Sequence, residues 1–270
     1  MPLIDLHTHS RYSDGMTKPS EVVVESAKRA VLLYALTDHD TTEGVEEARA
    51  RAAKCAMKFL PGVEVSTCEH EHLHFLGLGI DLQNSAFQKF LKDNSEARII
   101  RIKRIIQKLA AAGVDITEED VFGRVRGIVS RAHVADALRQ KGLAQNRQEG
   151  FRKFLVKGAP GYEAPIGASA CEAIEKIKSA GGKAVIAHSG IVKDIWDFDK
   201  WVKCGLDGIE VFYPSHNEEM IQTLLDISAR YNLFVTAGSD NHGPGSGRTA
   251  KPGMEIPAAH YEWLLKIFNL

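Results

Sequence analysis

Two histidines one residue apart, His7 and His9, sit at the end of the apolar segment LIDLH, with Asp14 and Gly15 following in THSRYSDG. Alternate side chains of a strand point to one face, so two imidazoles at this spacing look the same way, as metal ligands do. The same residue types recur along the chain: His39 in LTDHD, Glu64 in PGVEVS, His74 in HFLGLGI, His188 in VIAHS, and Asp240 with His242 in GSDNHG. A lone histidine or carboxylate in such a place is usually a hydrogen-bonded structural residue. Nine of them, most at or near the ends of apolar runs, argue together for metal. Imidazole and carboxylate without thiolate suit Zn, Mn or Fe and exclude iron–sulfur clusters and most calcium sites. Nine ligands are too many for one ion, whereas a carboxylate such as Glu64 can bridge two, and pairs of ions about 4 Å apart hydrolyse phosphate esters.

The elements that must position these residues alternate. Strands are expected at 2–7, 32–38, 58–66, 72–80, 183–188, 207–212 and 233–239. Helix-start signals fall between most of them: Lys18-Pro19-Ser20, Thr41-Thr42-Glu43, and Ser169 ahead of a helix that stops at Gly181-Gly182. Strand-then-helix order implies an α/β fold of mostly parallel strands, a barrel or a doubly wound sheet, whose carboxyl strand ends gather on one ligand-binding face. One stretch breaks the alternation. From 96 to 165 the sequence predicts helices (SEARIIRIKRIIQKLAAAG, SRAHVADALRQKG, RQEGFRKFLVKG) and no strand, closing at Ala159-Pro160-Gly161. Residues 1–95 and 166–270 then form the barrel, with 96–165 a helical insertion.

At 270 residues, 44% hydrophobic and 26% charged, the chain reads as an ordinary globular protein with one large domain or a barrel plus an insertion. No apolar run approaches the roughly 20 residues that span a membrane, and the N-terminal sequence does not resemble a secretory signal, so the cytoplasm is expected. Cys55, Cys68, Cys171 and Cys204 lie far apart with no C-x-x-C pair, which predicts reduced thiols. The net charge of −1 argues against long duplex nucleic acid as a partner. It conceals an asymmetry: residues 96–158 hold 14 Lys/Arg and 7 Asp/Glu, a net of +7, against −8 for the rest. A basic segment in an acidic chain suggests a local anion site.

The motifs DLHTHSRYSDG, LTDHD, PGVEVS, HFLGLGI, IAHS and GSDNHG resemble, in order, the metal-binding motifs of the PHP (polymerase and histidinol phosphatase) superfamily of phosphoesterases. The resemblance implies a distorted (β/α)7 barrel and a centre of two to three divalent ions, manganese foremost. One ion would take His7, His9, Glu64 and Asp240; a second would share Glu64 and add His74 and His188; a third would take Asp14, His39 and His242. His74 is preferred to His72 because HFLG matches the family pattern. Asp5 and Asp38, beside ligands, would orient them. The helical insertion with SRAHVADAL, followed by KFLVKGAPGYEAP, is similar to the 3′,5′-nucleoside bisphosphate phosphatases, some of which also trim short RNA from its 5′ end.

The resemblance implies an enzyme that removes the 3′-phosphate of a nucleoside 3′,5′-bisphosphate through a metal-bridging hydroxide, its partner a small phosphorylated nucleotide or short oligonucleotide. Ser130, Arg131 and His133 at a helix start are candidate phosphate contacts. Lys157 and Tyr162 in KGAPGY are expected to line the same cleft, and Arg11 and Arg248 are further phosphate candidates. His216 is a candidate general acid. The alternatives are a 5′–3′ exonuclease on short RNA and a histidinol-phosphate-type phosphatase. A binding module without turnover is disfavoured because every expected ligand position holds a suitable residue.

Overall fold

In a computed structural model of the chain, residues 1–123, 125–247 and 251–270 are described. All seven apolar runs form strands: β1 (Leu3–Asp5), β2 (Leu33–Leu36), β3 (Lys58–Ser66), β4 (His74–Leu78), β5 (Lys183–Ile186), β6 (Gly208–Phe212) and β7 (Phe234–Ala237). They lie in one sheet in chain order, with an eighth short strand, β8 (Met254–Glu255), antiparallel to β1 at the edge. The sheet nearly closes. Leu6 N donates to Ala237 O at 3.0 Å, Asp240 N donates to His7 O at 2.8 Å, and Thr8 bridges Asn241, joining the β1 and β7 sides into an irregular barrel.

Apart from the edge strand β8, the pairing is parallel except around β4, which runs antiparallel to both β3 and β5. Only residues 67–73 separate Ser66 from His74, too few for the crossover that a parallel pair requires, so the chain turns back as a hairpin. The reversal puts the first residue of β4 on the face where the other strands end. His74 pairs with Ser66 there.

Helices α1 (Pro19–Lys28) and α2 (Val45–Lys54) pack against β2, α7 (Ala170–Ser179) and α8 (Phe198–Lys203) against the middle of the sheet, and α9 (Glu218–Tyr231) and α10 (Ala258–Ile267) against β6 and β7. Ser169 caps α7, its hydroxyl accepting from Glu172 N at 3.2 Å. The thiol expectation holds for Cys55 and Cys68 and fails for the other pair. Packing of α7 against α8 brings Cys171 and Cys204 to a Cα separation of 5.3 Å, and they form a disulfide although 33 residues apart in sequence.

Helix α3 (Ser85–Ala111) begins well before the charged stretch that predicted it, capped by Asn84, whose side chain accepts from Phe87 N at 2.9 Å. Its first half buries Phe87, Phe90 and Leu91 in the barrel core; its second half buries Ile102, Ile105, Ile106 and Leu109 in a separate apolar cluster. That cluster is completed by α4 (Glu118–Phe122), α5 (Arg131–Gln140) and the α6 helix (Arg147–Gly150) with its π-turn extension (Phe151–Leu155). Each buried Leu or Ile contributes about 1.5–3 kcal/mol to holding this layer together. The expected boundary at residue 96 falls inside one continuous helix.

Candidate metal centre and its cavity

Glu64, buried near the end of β3, stands at the middle of the polar face. Its Oε2 lies 3.3 Å from His7 Nε2, 3.2 Å from His9 Nε2 and 3.0 Å from His39 Nδ1. Its Oε1 lies 2.8 Å from His74 Nδ1 and 3.1 Å from His188 Nε2. Asp240 Oδ1 is 3.2 Å from His9 Nε2 and 3.3 Å from His242 Nδ1, and Asp14 Oδ1 is 3.1 Å from His242 Nε2. All nine residues named for metal thus come together. Four overlapping groups have ligand atoms within 4.8 Å of one another: His9, Asp14, His39 and His242; His7, His9 and Asp240; His7, Glu64 and His188; His39, Glu64 and His74.

The chemistry of these atoms tests their fit to metal. Among the described residues nine buried side-chain polar atoms have no hydrogen-bond partner, and seven belong to this cluster: His7 Nε2, His9 Nε2, Asp14 Oδ1, His39 Nδ1, Glu64 Oε2, His188 Nδ1 and His242 Nε2. An unpaired buried polar atom costs about 1–3 kcal/mol, and several converging on one place fit cations in their midst. Electrostatics agrees. Burial opposes the charged form of His7, yet the Glu210 and Glu64 carboxylates outweigh it and raise its pKa to about 10, so without a cation a proton on His7 balances these carboxylates, and a metal would take that proton's place. Burial likewise opposes ionisation of Glu64 and Asp14, but the imidazoles beside them hold both well below the usual carboxylate range. Burial depresses His39 to about 3, leaving it the neutral form that binds metal. Cluster chemistry therefore suits two or more divalent ions.

Buried partners hold the ligands in place. Asp38 accepts from Ser10 N at 2.7 Å and from the Ser10 and Ser13 hydroxyls at 2.6 Å, fixing the loop that carries His9 and Asp14. Asp5 accepts from Ser239 N at 2.9 Å and so ties β1 to the Asp240 loop. Two such residues escaped the sequence reading. Glu210 on β6 accepts from His7 Nδ1 at 3.1 Å and from His188 N, and Tyr213 donates to Asp240 Oδ2 at 2.8 Å. The signal for Glu210 was a lone acid inside the apolar strand GIEVF. Gly238 makes the approach possible, since a Cβ there would collide with Glu210 Oε1 and with His7 Cβ.

The cluster opens into a cavity of about 430 Å³ between the barrel and the helical layer. Four arginines reach its wall. Arg98 bonds Asp40 and Ser66, Arg131 pairs with Glu71 and lies 5.3 Å over the Phe151 ring, and Arg147 pairs with Asp136. Arg101 donates from Nε and Nη2 to the Glu163 carbonyl at 3.1 and 2.7 Å, and no carboxylate pairs with it among the described residues. Ile102, Val129, Phe151 and Val156 supply an apolar side.

The residues expected to touch substrate divide. Ser130 and Arg131 line this cavity; Ser130 caps α5 and its hydroxyl donates to Asp14 Oδ2 at 3.3 Å. His133 and Arg11 line a second cavity of about 290 Å³ instead. Lys157 is exposed and is in neither wall, and Tyr162 meets Lys108 through its carbonyl without lining either. Arg248 lies outside the described residues. His216 has a different job from the expected acid: Nδ1 donates to Val211 O at 2.8 Å and Nε2 accepts from Gly190 N at 3.0 Å, so both nitrogens hold backbone. Arg98, Arg101 and Arg147 were visible only as a net charge, because which face of a helix meets the barrel depends on packing.

Known proteins resemble the whole chain. It is 40% identical over 258 residues to the 3′,5′-nucleoside bisphosphate phosphatase of Chromobacterium violaceum, covering 92% of this chain and 90% of that one. It is 32% identical to the 5′–3′ exoribonuclease of Salmonella typhimurium, covering 90% and 86%. A crystal structure from Bifidobacterium adolescentis superposes with a TM-score of 0.87 at 30% identity, covering 97% of this chain and 95% of its own. The PHP domain pattern matches residues 5–268, and with its histidines and carboxylates converged on one barrel face the chain belongs to the PHP domain family.

Proposed function

We propose that the protein is a metal-dependent phosphatase that removes the 3′-phosphate of nucleoside 3′,5′-bisphosphates, converting pAp to AMP and inorganic phosphate. The observation that carries this reading is the cavity. Its wall combines Asp14, His39, His74 and His242 of the ligand cluster with four arginines and an apolar side, a size and chemistry suited to a nucleotide with two phosphates. The relative of Chromobacterium violaceum supports the same substrate.

His7, His9, Glu64 and Asp240 would hold one ion, Glu64, His74 and His188 a second, and Asp14, His39 and His242 a third. Manganese is the first candidate and zinc or iron the others. When bound, such ions activate water as the nucleophile and neutralise charge on the phosphoryl oxygens. The chain's residues do the rest. Arg101 has cationic capacity to spare for the 5′-phosphate, with Arg98 and Arg131 beside it, and that remote grip turns the 3′-phosphate toward the cluster. The apolar side takes the base. Helices α3 and α5 cover the site and limit water around the scissile bond.

The test is phosphate release by the manganese-loaded protein from pAp, side by side with 5′-AMP, 3′-AMP and histidinol phosphate. Strong preference for pAp, with 5′-AMP as product, is expected. Equal turnover of histidinol phosphate would leave the chemistry standing and overturn the substrate. A second reading, 5′–3′ trimming of short RNA, is favoured by the Salmonella relative and by Arg104 and Lys108, which continue the α3 arginine stripe outward. Release of mononucleotides from a 5′-phosphorylated RNA trimer would extend the substrate range to it.

A further inference from the structure

The second cavity, about 290 Å³, touches the ligand cluster from the other side. Asp14 and Arg147 are the residues common to the walls of both cavities. The Arg147 guanidinium lies against Asp136, Nε to Oδ1 at 3.0 Å, while Nη1 keeps its donors uncommitted among the described residues. Arg11, half-buried, and Arg126, exposed, also line it, and neither side chain has a hydrogen bond or ion pair among the described residues. The acids in this wall are largely spoken for. Asp136 is held by Arg147, Asp120 by Lys141 at 3.0 Å and by Thr117, and Asp14 faces the cluster. The cavity is therefore lined by arginines that range from the largely buried Arg147 to the exposed Arg126, and it meets the ligand cluster at Asp14.

From this arrangement we infer that the second cavity binds inorganic phosphate and is the route by which it leaves the metal centre, with the Arg147–Asp136 pair as the partition from the nucleotide's cavity. The inference rests on the phosphatase reading above. Its physical basis is the order of departure. While the nucleoside monophosphate stays gripped by its 5′-phosphate and base, it stands between the freed phosphate and the mouth of the first cavity. A single doorway would make phosphate wait for the nucleotide. A second opening at Asp14 removes that constraint, and Arg147, Arg11 and Arg126 offer successive charge-assisted donors to a small dianion. A nucleoside does not fit the role, since the His133 imidazole is the one ring in this wall and there is little apolar surface beyond Val121, Ala137 and Met16.

Two substitutions at the mouth, both at exposed positions outside the reaction machinery, test it: Arg126→Glu reverses a charge and Gln140→Trp narrows the opening. AMP formation from pAp is followed by rapid quench, and free phosphate by a fluorescent phosphate-binding sensor. In the wild type the two are expected to appear together. In Gln140→Trp, AMP should form in a first-turnover burst at the wild-type rate with phosphate lagging severalfold. Phosphate keeping pace with AMP in both variants would overturn the exit route, as would a slowed burst, which would assign the cavity to the chemical step. Inorganic phosphate titrated into the metal-free protein gives a readout independent of substrate. Arg126→Glu should weaken its binding by about tenfold, and unchanged affinity would overturn the binding site. A wild type inert toward pAp would refute the substrate reading alone, leaving the phosphate titration to decide this one.

Discussion

The metal face and the arginine wall look at each other across one cavity and are built in different ways. The metal face is carried by strand ends and the loops after them, and each ligand is braced by a buried carboxylate, hydroxyl or neighbouring ligand: His7 by Glu210, Asp240 by Tyr213, the His9 loop by Asp38. The arginine wall is carried by helices whose apolar cluster is separate from the barrel's. Its side chains are braced one at a time, Arg98 by Asp40, Arg131 by Glu71, Arg147 by Asp136. A face whose parts share partners should fail as a unit, and a wall of separate pairs should fail one contact at a time. The division of labour follows: damage to the first should appear in kcat, damage to the second in KM.

The largest effect is expected at Glu64, which lies within 3.3 Å of five histidines. Glu64→Gln keeps the volume and removes the charge that the cluster shares. Hydrolysis of pAp should fall by about 10³-fold or more, as for groups that act as a unit, with the circular dichroism of the fold retained. Manganese should also lose its effect on stability. Ligand at about 100 times its Kd stabilises a native protein by about 2.7 kcal/mol, so the wild type should show a manganese-dependent rise in Tm that the variant lacks. Near-normal turnover in Glu64→Gln would break the comparison at its root.

Next come the braces. Glu210→Gln leaves a hydrogen bond to His7 but removes the carboxylate that sets its basicity, and metal affinity or activity should drop about 10–100-fold. Gly238→Ala should do as much by a steric route, because the new methyl group meets Glu210 and His7 together. Similar losses in these two variants, reached from different residues, would show that the brace itself matters. A loss in Gly238→Ala alone would mean that the backbone approach matters and the carboxylate does not.

How much of this was legible in the sequence follows the same division. Most of the ligands could be read because β-periodicity is short and because successive strands bring their ends to one face, so residue type and position pointed to the same side chains. His74 was chosen over His72 by the match of HFLG to the family pattern and not by strand position, since it opens an antiparallel strand and the short β3–β4 connection is what puts it on the right face. The helical layer could be counted for charge and not resolved into contacts. Of the four arginines in the cavity wall only Arg131 was named, because its helix start carried a local signal, while Arg98 and Arg101 sit inside a long helix where many positions bear similar residues. The Cys171–Cys204 bridge was illegible for the same reason: it depends on how α7 packs against α8.

The smallest effects sharpen the comparison most, because they separate two basic residues that the sequence treats alike. Arg101 lies in the cavity wall, mostly buried, its guanidinium bonded to a backbone carbonyl and without a carboxylate partner among the described residues; burial, with Arg98 nearby, lowers its pKa to about 10, which still leaves it charged at neutral pH. Losing a hydrogen bond to a charged group costs about 1.5–3 kcal/mol, so Arg101→Ala should raise KM for pAp by about 10–100-fold and leave KM for 3′-AMP, which lacks the second phosphate, nearly unchanged. Lys157 belongs to the same basic segment but is exposed and outside both cavity walls. Lys157→Ala should therefore shift kcat/KM for pAp by less than about twofold, as surface changes away from such features do. Equal losses in the two variants would mean that substrate is drawn in by the summed charge of the helical layer, an effect that added salt would erase for both. A loss confined to Arg101 and persisting at high salt would mean that one buried cation, and not the field of the whole segment, recognises the second phosphate.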